Sequence, residues 1–335
     1  MSKAAALRVL SSFIYGDEDI PHRRMGRDNR WFHGFTKSLV RRGLSLSALD
    51  LAFVPAPQTD EAMAALSARF EAENVTLVIC PGTDAVVRWA RANRRIATLY
   101  FGAHPENNGL EIVEQPNVGG VRLNLPLVWN VKNFSLLREL MPALERIYVP
   151  LNLTSEFAFA NVRANFRMFR RLRQGFWIPD QSTYIGHRSL NMLASAIGCS
   201  FHEGPYMDCA ELARGLDEIP DDGRSAVIGF NDTALMDGAV NAILDAARAR
   251  RLALFWVNNP PIVKAGGVAD FSSDFEQVGR VLGDMAVSIL QGADMAEIAL
   301  APDPGERFTL NLGRCRDLGI AVTEAVRGRF HAVIA

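Results

Sequence analysis

The side chains able to do chemistry in this chain are scattered, and their spacing excludes more than it offers. Six histidines (His22, His33, His104, His187, His202 and His331) show neither His-x-x-x-His nor His-Glu-x-x-His spacing. Those spacings set two imidazoles on one helix face around a metal. The four cysteines (Cys80, Cys199, Cys209 and Cys315) contain no Cys-x-x-Cys pair, so neither a zinc site nor a disulfide framework is indicated. No serine lies in a Gly-x-Ser-x-Gly elbow. No Gly-x-Gly-x-x-Gly follows the first strand, and no Gly-Lys-Ser/Thr makes a phosphate loop. No catalytic residue, metal ligand or cofactor is therefore assigned.

What remains suits the non-covalent holding of a small molecule. Pro81-Gly-Thr-Asp offers the backbone N–H groups around Gly82 and Thr83, the Thr83 hydroxyl and the Asp84 carboxylate. A ligand carboxylate there would meet the positive end of a helix; a plain cap by Asp84 is the structural alternative. Ser12 and Tyr15, with Phe13 between them, offer a hydroxyl and a ring to stack on a planar ligand. Asp232, after Ile228-Gly-Phe-Asn, could accept a ligand ammonium or cap a helix, and one side chain can do both. Asn152, Asn258 and Asn259 are amide donors and acceptors, and Asn258-Asn259 could equally be a hinge before Pro260-Pro261. Asp270 and Phe271 follow Gly266-Gly267, where the backbone can approach another segment closely. His104 and Glu106 are the acid/base pair an enzyme would have to use, although nothing in the sequence orients a nucleophile or base for them.

These residues fall at the ends of predicted strands. Leu7 to Ile14, Leu49 to Val54, Val75 to Cys80 and Ile96 to Phe101 are apolar runs of strand length, alternating with helical spacings over 30–42, from Asp60 and from Asp84. Val121 to Leu127 is a further expected strand. The alternation then restarts, with strands at Ile147 to Leu151, near Phe201, at Ala226 to Phe230 and at Leu252 to Val257. Strands apolar on both faces between amphipathic helices imply parallel sheets sandwiched by helices. In such sheets ligands sit beyond the carboxyl ends of strands. Ser272-Ser273-Asp274 offers caps to a helix with apolar residues at Phe275, Val278, Val281, Leu282, Met285 and Ile289, stopped by Gly292. A glycine-led strand entering this helix is how a two-lobed chain would return late to its first lobe. The fold class expected is α/β: two Rossmann-like lobes with parallel sheets flanked by helices, joined by a multi-crossover hinge. The lobes are expected over 1–122 plus about 264–300, and over 123–263 plus about 301–335.

With 335 residues, the chain is long enough for two such cores. A formal net charge of −1 leaves no overall field for nucleic acid or an anionic membrane. Arg163, Arg167, Arg170, Arg171 and Arg173 interleave with Phe166, Phe169 and Phe176. On that balance they read as a solvated helix face with packed rings, and a lid carrying Trp177 and Tyr184 is a third reading. The first fifteen residues lack an apolar core of signal-peptide length, and no run approaches the roughly 20 apolar residues of a membrane span. The sequence as written therefore reads as cytoplasmic, or as periplasmic if a signal was removed before Met1.

Several pieces, in order, resemble one family. Val78-Ile-Cys-Pro-Gly-Thr-Asp-Ala is similar to its strand followed by Gly-Thr-Pro-Ala, and Leu99-Tyr-Phe-Gly-Ala-His-Pro-Glu to its strand ending in an acidic-Pro turn. Asn117-Val-Gly-Gly-Val resembles its crossing, and Leu137-Arg-Glu-Leu-Met-Pro its Leu-Leu-Lys-Glu-Leu-x-Pro. Gly266-Gly267, Gly292-Ala-Asp and Phe308-Thr-Leu-Asn-Leu resemble its closing segments. The family is the ABC-transporter substrate-binding group with the type I periplasmic-binding-protein fold, close to its tryptophan and tyrosine receptors. His104 stands where that family usually has Asp, Phe271 where it often has Ser-Tyr, and 161–184 is longer and more basic than its counterpart. The resemblance implies a protein closing two lobes on a small polar or aromatic, carboxylate-bearing ligand, with a membrane permease as partner. A cytoplasmic sensor acting through a signalling partner is the alternative, without the helix-turn-helix that would read DNA. An enzyme on the same fold is the third.

Overall fold

A computed structural model describes residues 5–11, 30–57, 59–101, 115–123, 130–153, 177–179, 185–230, 238–298 and 300–335. The chain divides into two units, Met1–Asn124 with Asp274–Gly305 and Leu125–Ser273 with Glu306–Ala335. It thus passes from one unit to the other three times, at 124/125, 273/274 and 305/306. Both units are α/β with parallel-dominated sheets, as expected.

The first unit has a five-stranded parallel sheet. Its strands are β1 (Ala5–Ser11), β2 (Leu49–Pro55), β3 (Val75–Pro81), β4 (Ala97–Phe101) and β5 (Val118–Val121), in the order β2-β1-β3-β4-β5. Alternate side chains of these strands go to opposite faces. Leu7, Val9, Leu77, Ile79, Leu99 and Phe101 pack against Trp31, Phe35 and Leu39 of α1 (Arg30–Arg41). The same layer contains Val278, Leu282 and Ala286 from the long helix Phe275–Leu290. On the other face, α2 (Asp60–Ala72) buries Met63, Leu66 and Phe70, and α3 (Thr83–Ala92) buries Val86, Trp89 and Ala90. The Trp89 indole N–H donates to Thr98 Oγ1 at 2.9 Å inside this layer.

The second unit has an eight-stranded sheet. After β6 (Arg146–Asn152) come β7 (Ile178–Pro179), β8 (Ser200–Tyr206), β9 (Ser225–Phe230), β10 (Ala253–Val257), β11 (Ala269–Ser273), β12 (Glu306–Asn311) and β13 (Ala332–Ile334). Their order is β13-β12-β11-β10-β9-β6-β8-β7; β11 with β12 and β7 with β8 are antiparallel, the rest parallel. Ala253, Phe255 and Val257 of β10 enter one core with α4 (Val131–Leu140) and α5 (Ile185–Ala196). Leu254 and Trp256 enter the opposite core with α6 (Cys209–Asp217) and α7 (Ala239–Ala249). A strand buried on both faces reads as an unbroken apolar run, which is what Ala253–Val257 is.

The second crossing comes about ten residues later than its expected place near 264. After β10, the short helix α8 (Pro261–Lys264) turns the chain back, and β11 pairs in parallel with β10. Residues 264–273 therefore belong to the second unit, and Asp270 and Phe271 go with them. The return to the first unit occurs at Asp274. Its carboxylate caps α9 (Phe275–Leu290) by accepting the N–H groups of Glu276 (3.1 Å) and Gln277 (3.2 Å). The third crossing is five residues later than expected, because Ala301 still bridges Val121 of the first sheet.

The helices α1 and α9 approach unusually closely, which the apolar periodicity of either does not reveal. A Cβ added at Gly34 would lie 1.9 Å from the Glu276 carbonyl oxygen, and one at Gly279 would lie 1.8 Å from that of Trp31. One turn on, a Cβ at Gly283 would meet the Ser38 Cβ at 2.6 Å. Polar pairs flank the contact: Ser38 Oγ donates to Asp284 at 2.6 Å, Arg41 donates to both Asp284 oxygens, and Lys37 donates to Glu276 at 2.9 Å.

Candidate functional site

Candidate residues read from the sequence lie at strand carboxyl ends, and each unit has its own candidates. In the first unit, β3 runs directly into α3. Gly82 occupies the cap position with φ +87°, a left-handed value that a side chain would strain. Its N–H donates to Phe101 O at the end of β4 (2.8 Å), which fixes the turn to the neighbouring strand. The first helical residue is Thr83. Asp84 is inside the first turn and does not occupy the cap position that its plain structural reading assumed. Of Thr83 and Asp84 only the backbone is described. With glycine as cap, the cap residue itself offers no side-chain oxygen to the first-turn N–H groups, which carry the donor capacity of a helix start. Ser12, Tyr15, His104 and Glu106 lie outside the described residues.

In the second unit, Asn152 ends β6 and is buried, with its strand neighbour Tyr206 ending β8. Asp232 lies outside the described residues, as does 154–176, which holds the basic aromatic run. Trp177 is half-buried; its indole N–H donates to Gly215 O at 2.9 Å and its ring meets Tyr148 edge-on at 4.9 Å. That placement makes it an anchor within this unit.

The turn after β10 is the best-defined polar cluster at a strand end. Asn258 has φ +61°, a conformation in which asparagine is among the few tolerated residues. Its N–H donates to Phe271 O (3.1 Å) and its Oδ1 accepts the Ser273 N–H (3.0 Å), so it fastens β10 to β11. Asp270 has no exposed surface. One of its oxygens accepts the Asn259 N–H at 2.8 Å, and the other accepts the Ser272 hydroxyl. A buried carboxylate is stable only with such partners. Here they hold the Asn258–Asn259 turn that leads into α8.

Phe271 departs from its expected place facing a ligand. It also has no exposed surface, and it packs on Phe255, Phe308 and Phe330, edge-on to Phe308 at 5.0 Å. Alternation along β11 explains this: Asp270 and Phe271 are adjacent, so one turns into the apolar core when the other turns away from it. The sequence reading missed Ser272 and Ser273 as partners in the turn; Ser272 pairs with Asp270 two residues back on β11, whereas the bond of Ser273 to Asn258 needs the β10–β11 register.

Titration in the described residues follows burial and pairing. Hydrogen bonds from Lys37 and Arg280 hold the Glu276 carboxyl down at about 2. Burial pushes the Cys80 and Cys199 thiols up, and Cys315 to about 11, which keeps all three unreactive. Among the described residues no group of His, Cys, Asp and Glu could hold a metal ion, and no helix is long and apolar enough to cross a membrane.

Two parallel-dominated α/β units, joined by three crossings and carrying polar turns at their strand ends, define the type I periplasmic-binding-protein class of fold. Residues 181–334 match the family model described as ABC transporter substrate binding protein, and the resemblance read from the sequence is thereby borne out. Solved structures agree. A conserved domain protein from Vibrio cholerae is 18% identical, covers 99% of this chain and 100% of its own, and superposes with a TM-score of 0.72. The ABC domain from Streptococcus pneumonia in complex with L-Trp gives the same identity and TM-score over 98% and 99% of the two chains. A LacI family transcriptional regulator from Arthrobacter sp. FB24, in complex with lactose, is 14% identical with a TM-score of 0.55 over 91% and 98%. No curated protein sequence matches the chain.

Proposed function

We propose that the chain binds a small, carboxylate-bearing polar or aromatic solute without covalent chemistry, and delivers it to a membrane permease. The observation that carries the reading is the open helix start at the carboxyl end of β3. Gly82, as the cap residue, puts no side chain over the first-turn N–H groups of α3, which is what the approach of a carboxylate requires. The L-Trp complex of a similar fold supports an amino acid or aromatic acid as the ligand class. In this reading the backbone N–H groups of Thr83 and Asp84 receive the carboxylate, and Gly82, whose own N–H is taken by Phe101 O, lets it approach by lacking a side chain. Ser12, Tyr15, His104 and Glu106 contribute from the neighbouring strand ends of the first unit, and Asn152, Asp232 and Asn258 from the second. Asp270 acts behind them by holding the Asn258 turn. A ligand touching both units favours the closed arrangement over the open one.

The LacI-type regulator with the same fold supports a second reading, a sensor that binds a neutral sugar and signals through a partner. A thermal-shift screen separates the two. L-tryptophan, L-tyrosine and other amino and aromatic acids are compared with their decarboxylated amines and with neutral sugars. A ligand at a hundred times its Kd adds about 2.7 kcal/mol of stability. The expected result is a rise in melting temperature with one carboxylate and none with the matching amine. A rise with neutral sugars alone overturns the carboxylate reading, and chemical turnover of the bound ligand overturns the non-catalytic one.

A further inference from the structure

The sheet ends of this protein are not treated alike. Unpaired edge strands template pairing with other chains, and proteins blunt them by shortening, proline, lysine, bulges or a covering segment. β5 is covered: Val121 bridges Ala301, the Ala301 N–H donates to Gly120 O and the Arg122 N–H donates to Ala301 O, both at 2.9 Å. β7 has two residues, one of them Pro179, and β13 has three. β2 carries one charge, Asp50, and otherwise none of these protections among the described residues. It has seven residues, no lysine or arginine, no proline before its last position, and an unbroken register with β1 from Leu49 to Pro55. It is last in its sheet, and among the described residues no strand or bridge lies on its outer side.

Apolar exposure gathers at the same place. Seven large hydrophobic side chains are exposed among the described residues, and three fall between 40 and 53: Val40 at 64%, Leu46 at 36% and Phe53 at 38%. Phe53 meets Phe32 of α1 edge-on at 5.3 Å. Phe32, Thr36 and Val40 follow one another at four-residue spacing, so they form one stripe on that helix. The stripe and the strand therefore make a continuous apolar margin on the first unit.

We infer that this margin is a homodimer interface, in which β2 pairs antiparallel with β2 of a second copy across a two-fold axis. Self-complementarity favours a second copy over another partner. Asp50 is the only charge in the strand, and it is already tied to Arg8 at 2.8 Å. A two-fold centred at Ala52 sets Leu51 against Phe53 of the copy and Asp50 against Val54, so no like charges face each other. A stable interface takes roughly 20 residues or more a side. The strand, the α1 stripe and residues 44–48 together supply about fifteen residues a side, so a weak, concentration-dependent dimer is expected. The two five-stranded sheets would join into one, and the strand ends proposed to bind solute remain free.

The test is light scattering on the full chain over a concentration series, with Phe53→Lys and Val40→Glu beside the unaltered protein. The expected result is a mass that rises with concentration to twice that of the chain, and at least tenfold weaker self-association in both variants with melting temperatures unchanged. If Phe53→Lys loses stability through its contact with Phe32, Val40→Glu decides alone, since that side chain projects into solvent. A monomer at every concentration overturns the inference. So does a dimer equally tight in both variants, or growth beyond the dimer, which an open edge would give and a two-fold would not.

Discussion

Replacing Gly279 by alanine sets two well-known effects against each other. In a helix interior, alanine is favoured over glycine by about 1 kcal/mol. In α9, however, the added Cβ would lie 1.8 Å from the Trp31 carbonyl oxygen, 2.6 Å from its carbon and 2.8 Å from the Phe35 nitrogen. All three are backbone atoms of α1, so no rotamer change relieves the contact, and the helices must move apart by roughly 1.5 Å to restore ordinary separation. That movement loosens Trp31, Phe35 and Leu39 against Val278, Leu282 and Ala286, which form the core on that face of the first unit. It also stretches the Ser38–Asp284 and Lys37–Glu276 bonds. Overpacking costs about 1–3 kcal/mol when side chains can adapt and more when they cannot. The clash therefore outweighs the propensity gain, and Gly279→Ala is expected to destabilise the first unit by about 2 kcal/mol or more. Calorimetry checks this, with the two units resolved as separate transitions where they unfold separately. Gly34→Ala, with its Cβ 1.9 Å from Glu276 O, should cost a similar amount. The double variant should cost less than the sum, because one separation relieves both clashes. An unchanged or raised melting temperature for Gly279→Ala would refute the close contact.

Two further outcomes follow from the same geometry. Lys37 and Arg280 lower the Glu276 pKa from 4.5 to about 2. The stabilisation this gives is fully present above pH 4.5 and is lost as the pH falls toward 2. Lys37→Met should flatten stability against pH in that window, and an unaltered acid limb would count against the pairing. At Asn258, the φ of +61° and the bond to Ser273 predict that Asn258→Ala loses about 1–3 kcal/mol. Asn258→Gly should lose less, since glycine restores the backbone freedom but not the hydrogen bond. Denaturant titration orders the two, and an alanine variant as stable as the glycine one would contradict the strain argument.

The architecture was legible in the sequence because it is written in period. Apolar runs of strand length such as Val75–Pro81 and Ala253–Val257 are strands, and the helical spacing after Asp274 is a helix. The crossing near 264 was misplaced for a physical reason. Gly266-Gly267 looks like the start of a departure, whereas the actual device is a short turn of helix after Pro260 that folds β11 back beside β10. Propensity does not say which sheet a strand joins. The site was legible only in outline, since strand ends are readable but side-chain direction is not. Phe271 was expected toward a ligand and lies in the core, one residue from a carboxylate that belongs to a turn.

Constraints that cannot be met by another residue of similar character occur in both halves of the chain, at Gly34 and Gly82 early and at several later positions. Asn258 needs its left-handed backbone, Asp270 needs two donors in a buried place, Asp274 caps a helix across a crossing, and Gly279 and Gly283 need to lack side chains. All lie within 181–334, the stretch that matches the family model. The earlier strands are held mainly by apolar burial, for which Val, Ile and Leu exchange readily. The family match covers this later set. It includes the chain crossing at 273/274 and the turn held by Asp270. The match therefore speaks to how the chain is built and does not name a ligand.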